Sequence, residues 1–138
     1  MNTTLAETAE RKAPAPTINP ENERYFNAAG KGVLLIGKCN ACGEYHFYPR
    51  VLCPHCFSDN TEWVPAKGTG VIYTWSTMRR GVPVPYTIAY VTLDEGVSMM
   101  TNIVDCDTDA LKIGDRVRLV FKPAEDGTPV PMFTPESI

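Results

Sequence analysis

Four of the chain's five cysteines form two Cys-x-x-Cys pairs, and this cluster constrains the fold more than any other feature. The pairs are Cys39/Cys42 and Cys53/Cys56, with ten residues between them. Structural zinc takes four ligands in a tetrahedron, and each Cys-x-x-Cys turn places two sulfurs on one side of a tight loop. The spacing therefore predicts a four-cysteine metal site that staples a small zinc ribbon.

The predicted role of this metal is structural, with Zn²⁺ as the cofactor. Catalytic zinc usually has three protein ligands and an open position, whereas four thiolates fill the tetrahedron. Four thiolates also hold a single iron in electron-transfer proteins, so iron stays open as an alternative. Zinc is favoured because nothing else in the chain suggests a redox partner.

The other reactive side chains do not form a recognisable catalytic set. We interpret His55 as a solvated loop residue inside the second cysteine pair, and Cys106 as a half-buried structural thiol. His46 lies on the spacer between the pairs, where a role as a general base is not favoured. The sequence carries no Ser/His/Asp arrangement and no glycine-rich phosphate loop. We therefore expect no catalysis by this chain alone.

Composition and charge favour a cytoplasmic protein. The chain has 138 residues, 43% of them hydrophobic, and a net charge of −3. No apolar run reaches the roughly 18 residues of a membrane span, and the first residues lack the pattern of a signal peptide. In a reducing compartment, paired cysteines favour metal over disulfides.

The chain divides into four predicted segments. A flexible tail is expected over residues 1–17 and a short N-terminal helix over 18–32. The zinc ribbon is expected over 33–65, entered by a strand that leads into Cys39. Residues 66–138 are expected to form a barrel.

The barrel prediction rests on short strands with turn signals between them and no long helix. The predicted strands cover residues 70–80, 86–94, 97–104, 116–121 and 128–135. The fold class is therefore mainly β, with a five-stranded OB-fold barrel after the ribbon. The prolines of the last strand predict that it lies at a sheet edge.

The N-terminal helix has only two large apolar side chains, Tyr25 and Phe26. Asn19 is expected to cap the helix, and Pro20 suits its first position. The aromatic pair predicts docking on a partner, because aromatic residues are enriched in interfaces. The alternative is that both rings pack on this chain's own core.

A zinc ribbon followed by a barrel also suits nucleic-acid binding, which is the alternative function. Candidate base-stacking and phosphate-binding residues are Tyr73, Trp75, Tyr86, Tyr90, Arg79, Arg80, Arg116, Arg118 and Lys122. The aromatics alternate along strands, where core positions explain them equally well. The acidic net charge also lacks the basic excess of such binders, so nucleic acid is disfavoured.

The order of these motifs resembles the domain-of-unknown-function (DUF) family thirty-five. The resemblance runs from residue 20 to about residue 135, through VLLIGKCNACGEYHFYPRVLCPHCFSDNTEW, GTGVIYTWSTM and PYTIAYVTLDEGVSMMTNIVD. It implies a helical segment, a rubredoxin-like zinc ribbon and an OB-fold. Its cysteine positions match Cys39, Cys42, Cys53 and Cys56.

The resemblance also implies an accessory subunit of thiolase-superfamily enzymes, which make or break carbon–carbon bonds in acyl-CoA substrates. The thiolase-fold partner would supply the catalytic cysteine and histidine and bind the acyl-CoA, and we expect two copies of each chain. Predicted interface residues are Tyr25, Phe26, Tyr45, Phe47 and Tyr48. Arg79 and Arg80 are the predicted contacts to the CoA phosphates, with a solvated strand end as the alternative.

Overall fold

The computed structural model describes residues 13–136, so most of the predicted tail lies outside the described residues. Ala13, near the end of that predicted tail, is buried, and its carbonyl accepts a hydrogen bond of 3.0 Å from the Glu125 amide. The elements are α1 (Glu23–Ala29), β1 (Leu35–Cys39), β2 (Tyr45–His46), β3 (Thr61–Pro65), β4 (Thr69–Met78), β5 (Tyr86–Leu93), β6 (Ser98–Ile103), a 3₁₀ turn (Thr108–Ala110), β7 (Arg116–Pro123) and β8 (Pro129–Pro135).

Strands β1, β2 and β3 form a small antiparallel sheet with β1 in the centre. Strand β1 is apolar in sequence, and Leu35, Ile36 and Cys39 are buried in it. The strand predicted from the apolar run before Cys39 is therefore present. It delivers the chain directly into the first cysteine pair.

The other five strands close into a barrel in the order β4-β5-β6-β8-β7, with β4 pairing back to β7. All neighbours are antiparallel except β6 and β8, which pair in parallel at Ile103 and Phe133. This is the strand order of an OB-fold. The predicted fold class, mainly β with a short helix, a cysteine-bearing ribbon and a five-stranded barrel, is confirmed.

The prediction that β8 lies at an edge is wrong, because β8 pairs with β7 on one side and β6 on the other. The Phe133 carbonyl accepts from the Val104 amide at 2.9 Å, so Phe133 directs its backbone groups toward β6. The same side of the strand is faced by the backbone groups of Pro129, Pro131 and Pro135, which lie an even number of residues from Phe133. Proline has no amide hydrogen to donate to a neighbouring strand. Because β6 and β8 pair only at Ile103 and Phe133, few hydrogen bonds are lost on the side that the prolines face.

The helix begins later than the sequence predicted. The Asn19 side chain accepts from the Glu21 and Asn22 amides at 3.0 and 2.9 Å, which builds a turn ahead of the helix. Pro20 therefore lies in this turn, and Asn22 is the residue that flanks Glu23 at the helix start. No helix within residues 13–136 is long and apolar enough to cross a membrane.

One hydrophobic core connects the helix, the ribbon and the barrel. Its buried members are Tyr25, Phe26, Leu34, Leu35, Ile36, Ile72, Ala89, Val91, Leu93, Met99, Ile103, Leu111, Val117 and Phe133. Helix α1 contacts both β1 and β8, so it bridges the two sheets. The ribbon and the barrel therefore share their packing along this core.

An ion-pair network holds the barrel at its point of closure. Asp94, in the turn after β5, accepts from Arg116 Nη1 at 3.0 Å and from the hydroxyl of Thr69. Arg116 also lies 3.5 Å from a Glu136 carboxylate oxygen. The Arg116 hydrogen bond, followed by that of Thr69, lowers the pKa of Asp94 to about 2. The network thereby links β4, β7 and the β5–β6 turn.

Candidate metal centre

The four paired cysteines converge on one point. Their sulfurs all lie within 4.8 Å of one another, and the Cys39–Cys56 and Cys42–Cys53 sulfur distances are 3.6 and 3.8 Å. A tetrahedron with metal–sulfur bonds of about 2.3 Å has sulfur–sulfur edges of about 3.8 Å. All four thiols are free of disulfides. The donor set therefore fits a single tetrahedral metal ion.

Two similar turns build this site. In the first, the Gly43 amide donates to the Cys39 carbonyl at 2.9 Å. In the second, the Phe57 amide donates to the Cys53 carbonyl at 2.8 Å. Both Gly43 and Phe57 have positive φ, at 80° and 65°. Each turn also directs a backbone amide at its first cysteine sulfur, from Cys42 at 3.4 Å and from His55 at 3.3 Å.

The thiol pKa values show why the cluster suits a cation. The Cys42 amide, the largest influence, lowers the pKa of Cys39 to about 7. An amide hydrogen bond from Glu44 favours the Cys42 thiolate, yet burial and the neighbouring thiols outweigh it and raise the pKa of Cys42 to about 12. Four adjacent thiolates repel one another, and a bound cation offsets that repulsion.

His46 packs against Gly37 inside the ribbon. It lies on β2 opposite Gly37 and is buried, with 3% of its surface exposed, and neither ring nitrogen has a hydrogen-bond partner among the described residues. A Cβ atom at Gly37 would lie only 2.1 Å from His46 Nε2, so the imidazole occupies the space that glycine leaves. Sequence reasoning missed this role. The glycine in the middle of a strand was the signal for it.

Cys106 and His55 are the remaining candidate nucleophile and base. Burial, followed by the charges of Asp107 and Asp105, raises the pKa of Cys106, which lies outside the four-cysteine cluster. His55 is exposed on the second turn, as interpreted from the sequence. Cys106 therefore lacks the environment that stabilises a reactive thiolate.

Four of the five predicted interface aromatics, all except Tyr45, form one cluster between α1 and the ribbon. Tyr25 contacts the rings of Phe26, Phe47 and Tyr48 edge-on, with centroids 5.1, 6.0 and 5.0 Å apart. Tyr25 and Phe26 are buried in the chain's own core, which is the alternative left open above. Tyr45 and Phe47 are half-buried, and Tyr48 is 48% exposed. A role of this cluster in an interface stays a prediction.

The predicted CoA contacts are exposed at the end of β4, beyond Met78. Arg79 forms an ion pair with Asp109, so a phosphate would have to compete with that carboxylate. Arg80 is exposed in the adjacent bend. Their role in CoA binding also stays a prediction.

Ion pairs weaken the case for nucleic-acid binding. Among the candidate phosphate-binding cations, Arg79, Arg116 and Lys122 each lie against a carboxylate. Their positive charge is locally balanced, which reduces the attraction for a polyanion.

Comparison with known proteins identifies the family. The ChsH2 rubredoxin-like zinc ribbon domain matches residues 26–62, and the ChsH2 C-terminal OB-fold domain matches residues 63–122. The solved structure of an Ltp2-ChsH2(DUF35) aldolase is similar, with a TM-score of 0.76 and 34% identity, over 89% of this chain and 100% of that chain. The chain belongs to the DUF35 family. The family resemblance drawn from the sequence is thus confirmed.

Two curated relatives extend the comparison of this DUF35 chain. It is 35% identical over 126 residues to a probable enoyl-CoA hydratase alpha subunit of Thermomonospora curvata, which covers 88% of this chain. The chain spans only 40% of the length of that relative. It is 28% identical over 119 residues to the benzoylsuccinyl-CoA thiolase subunit BbsA of Geobacter metallireducens, covering 84% of this chain and 80% of BbsA.

The metal site of this DUF35 chain predicts a direct test with a matched cysteine control. Elemental analysis should find about one metal ion per chain, and Cys53→Ser should lose it together with the folded ribbon, since metal binding and folding are coupled in such sites. Cys106→Ser should keep the metal, because Cys106 lies outside the cluster. A stoichiometric disulfide in freshly reduced protein would contradict the site.

Burial of His46 predicts a loss of stability in acid. Burial, and then the nearby His55 and Arg50, lower the pKa of His46 below its ordinary 6.5. Below that pH the unfolded chain takes up a proton that the folded chain resists, so the free energy of unfolding should fall. The loss from this group should reach at most about 1.4 kcal/mol at pH 5.5 and vanish above pH 7.

The measurement is denaturant unfolding between pH 7.5 and 5.5 at saturating metal. His46→Gln should flatten the pH dependence, whereas His55→Gln, which removes only the second-largest cause of the lowered His46 pKa, should keep most of the wild-type slope. Identical slopes for wild type and His46→Gln would show that His46 does not titrate as argued.

Proposed function

We propose that this chain is a noncatalytic subunit of a thiolase-superfamily complex that makes or breaks carbon–carbon bonds in acyl-CoA or related acyl substrates. The observation that carries the proposal is a ribbon with four convergent cysteines that shares one core with a closed barrel, without a recognisable nucleophile–base pair in residues 13–136. A rigid body of this kind suits assembly and support of a site on another chain.

The names of the relatives support a subunit role. BbsA is named a subunit of benzoylsuccinyl-CoA thiolase, and the solved structure is named an aldolase formed by Ltp2 and ChsH2. A thiolase and an aldolase catalyse different reactions, yet both proteins are similar to this chain over most of its length. We infer that the partner of this chain determines the reaction and supplies the catalytic cysteine and histidine.

The metal in this proposal is Zn²⁺ with a structural role. Zinc suits four cysteine ligands at tetrahedral spacing, and four thiolates leave it no open position for water or substrate. Cys39, Cys42, Cys53 and Cys56 would hold the ion. The ion would connect the two turns and take no part in the reaction.

The proposed assembly contains two copies of this chain and two of a thiolase-fold partner in the cytoplasm. The ribbon segment 33–65 would face the partner with Tyr45, Phe47 and Tyr48, while Tyr25 and Phe26 support these rings from the core. The barrel segment 66–138 would bring Arg79 and Arg80 toward the phosphates of an acyl-CoA bound by the partner.

The test is co-expression of this chain with each thiolase-superfamily protein of the source organism, followed by size exclusion and a turnover assay. One such protein should co-elute with this chain and need it for full turnover on its acyl-CoA. The chain alone should show no turnover. A partner that elutes separately and is fully active alone would contradict the subunit role.

A further inference from the structure

Phe57 has a backbone conformation that does not suit its side chain. It follows Cys56 in the second cysteine turn with φ of 65°, in the left-handed region. The corresponding residue of the first turn is Gly43, with φ of 80°. Residues with a Cβ atom are disfavoured in this region, and a bulky one is a clear outlier. Glycine would satisfy the second turn as it does the first.

Within residues 13–136, the packing of the Phe57 ring does not compensate for this strain. The Phe57 side chain is 77% exposed and lies outside the hydrophobic core. An exposed aromatic ring on a strained backbone gains little from folding of the isolated chain. Strain of this kind is characteristic of functional sites, which directs attention to a contact outside the chain.

Two further large apolar side chains are exposed on the same turn. Val51 and Leu52, just before Cys53, are 60% and 52% exposed. The Thr61 hydroxyl donates to the carbonyls of Arg50 and Val51 at 3.0 and 2.9 Å, and the Cys53 amide donates to the Ser58 carbonyl at 2.9 Å. The segment is therefore held in place before any partner binds, which lowers the entropic cost of binding.

We propose that residues 51–57 form a docking tip whose Val51, Leu52 and Phe57 side chains insert into an apolar recess on the thiolase-superfamily subunit. This inference rests on the proposed function and specifies where the partner binds. The metal clamp positions the tip, and Phe57 is its central anchor, since large aromatic side chains dominate interface energetics.

The charges around the tip favour a protein partner over a membrane. Apolar segments that enter a lipid surface are usually accompanied by several basic residues. Residues 47–60 contain one arginine, Arg50, and one acidic residue, Asp59. A second copy of this chain is the other possible occupant, and the relatives named as subunits favour a different polypeptide.

The test measures the dissociation constant of the co-purified partner for four proteins. These are wild type, Phe57→Gly, Leu52→Ser and the control Ile113→Ser, which removes an equally exposed apolar side chain from the loop before β7. Phe57→Gly should weaken binding about 30-fold, as expected for a hot-spot residue. The same variant should keep its metal and unfold at an equal or slightly higher temperature, since glycine relieves the left-handed strain.

The outcomes separate this inference from the proposed function. Tight binding by Phe57→Gly and Leu52→Ser would overturn the docking tip and leave the subunit role intact. No binding by wild type would overturn both. Loss of metal or stability in Phe57→Gly would show a structural role for the ring and contradict the tip. A wild-type homodimer that Phe57→Gly converts to monomer would assign the tip to a second copy instead.

Discussion

The convergence of four cysteine sulfurs is the interaction on which the rest of the structure depends. The ribbon has little apolar mass of its own, and β2 contains only two residues. A metal ion joined to Cys39, Cys42, Cys53 and Cys56 would connect segments that no core of their own could hold. Strand β1 ends at this site and carries Ile36 into the common core. A metal clamp at this position would therefore order the surface that the helix and barrel pack against.

The same arrangement occupies the groups that are suited to chemistry within residues 13–136. Four of the five thiols lie together in the cysteine cluster, and His46 fills the space beside Gly37. Cys106 is held as a thiol by burial and by two neighbouring aspartates. Several exposed cations, among them Arg79 and Arg116, are engaged by carboxylates. What remains is a rigid body with apolar surfaces, which is the property an accessory subunit needs.

Features with a local cause could be predicted from the sequence, and features that depend on pairing could not. The cysteine spacing and the alternating strands reflect short-range geometry, so the metal site and the five-stranded barrel were predicted. Whether β8 lies at an edge or between two strands depends on which neighbour its prolines face. Only the strand register shows this. The sequence pattern of an aromatic pair such as Tyr25 and Phe26 is the same whether the rings pack in the chain's own core or against a partner. The positive φ of Phe57 had no sequence signal, because glycine is the residue that normally marks such a position.

The central claim is that the metal organises the chain and the partner performs the reaction. X-ray absorption spectroscopy at the metal edge of the purified complex, with and without acyl-CoA, tests it most directly. We expect zinc with four sulfur neighbours at about 2.3 Å, unchanged when acyl-CoA binds. An oxygen or nitrogen neighbour that appears with acyl-CoA, or a sulfur count below four, would contradict it and give the metal a part in the reaction.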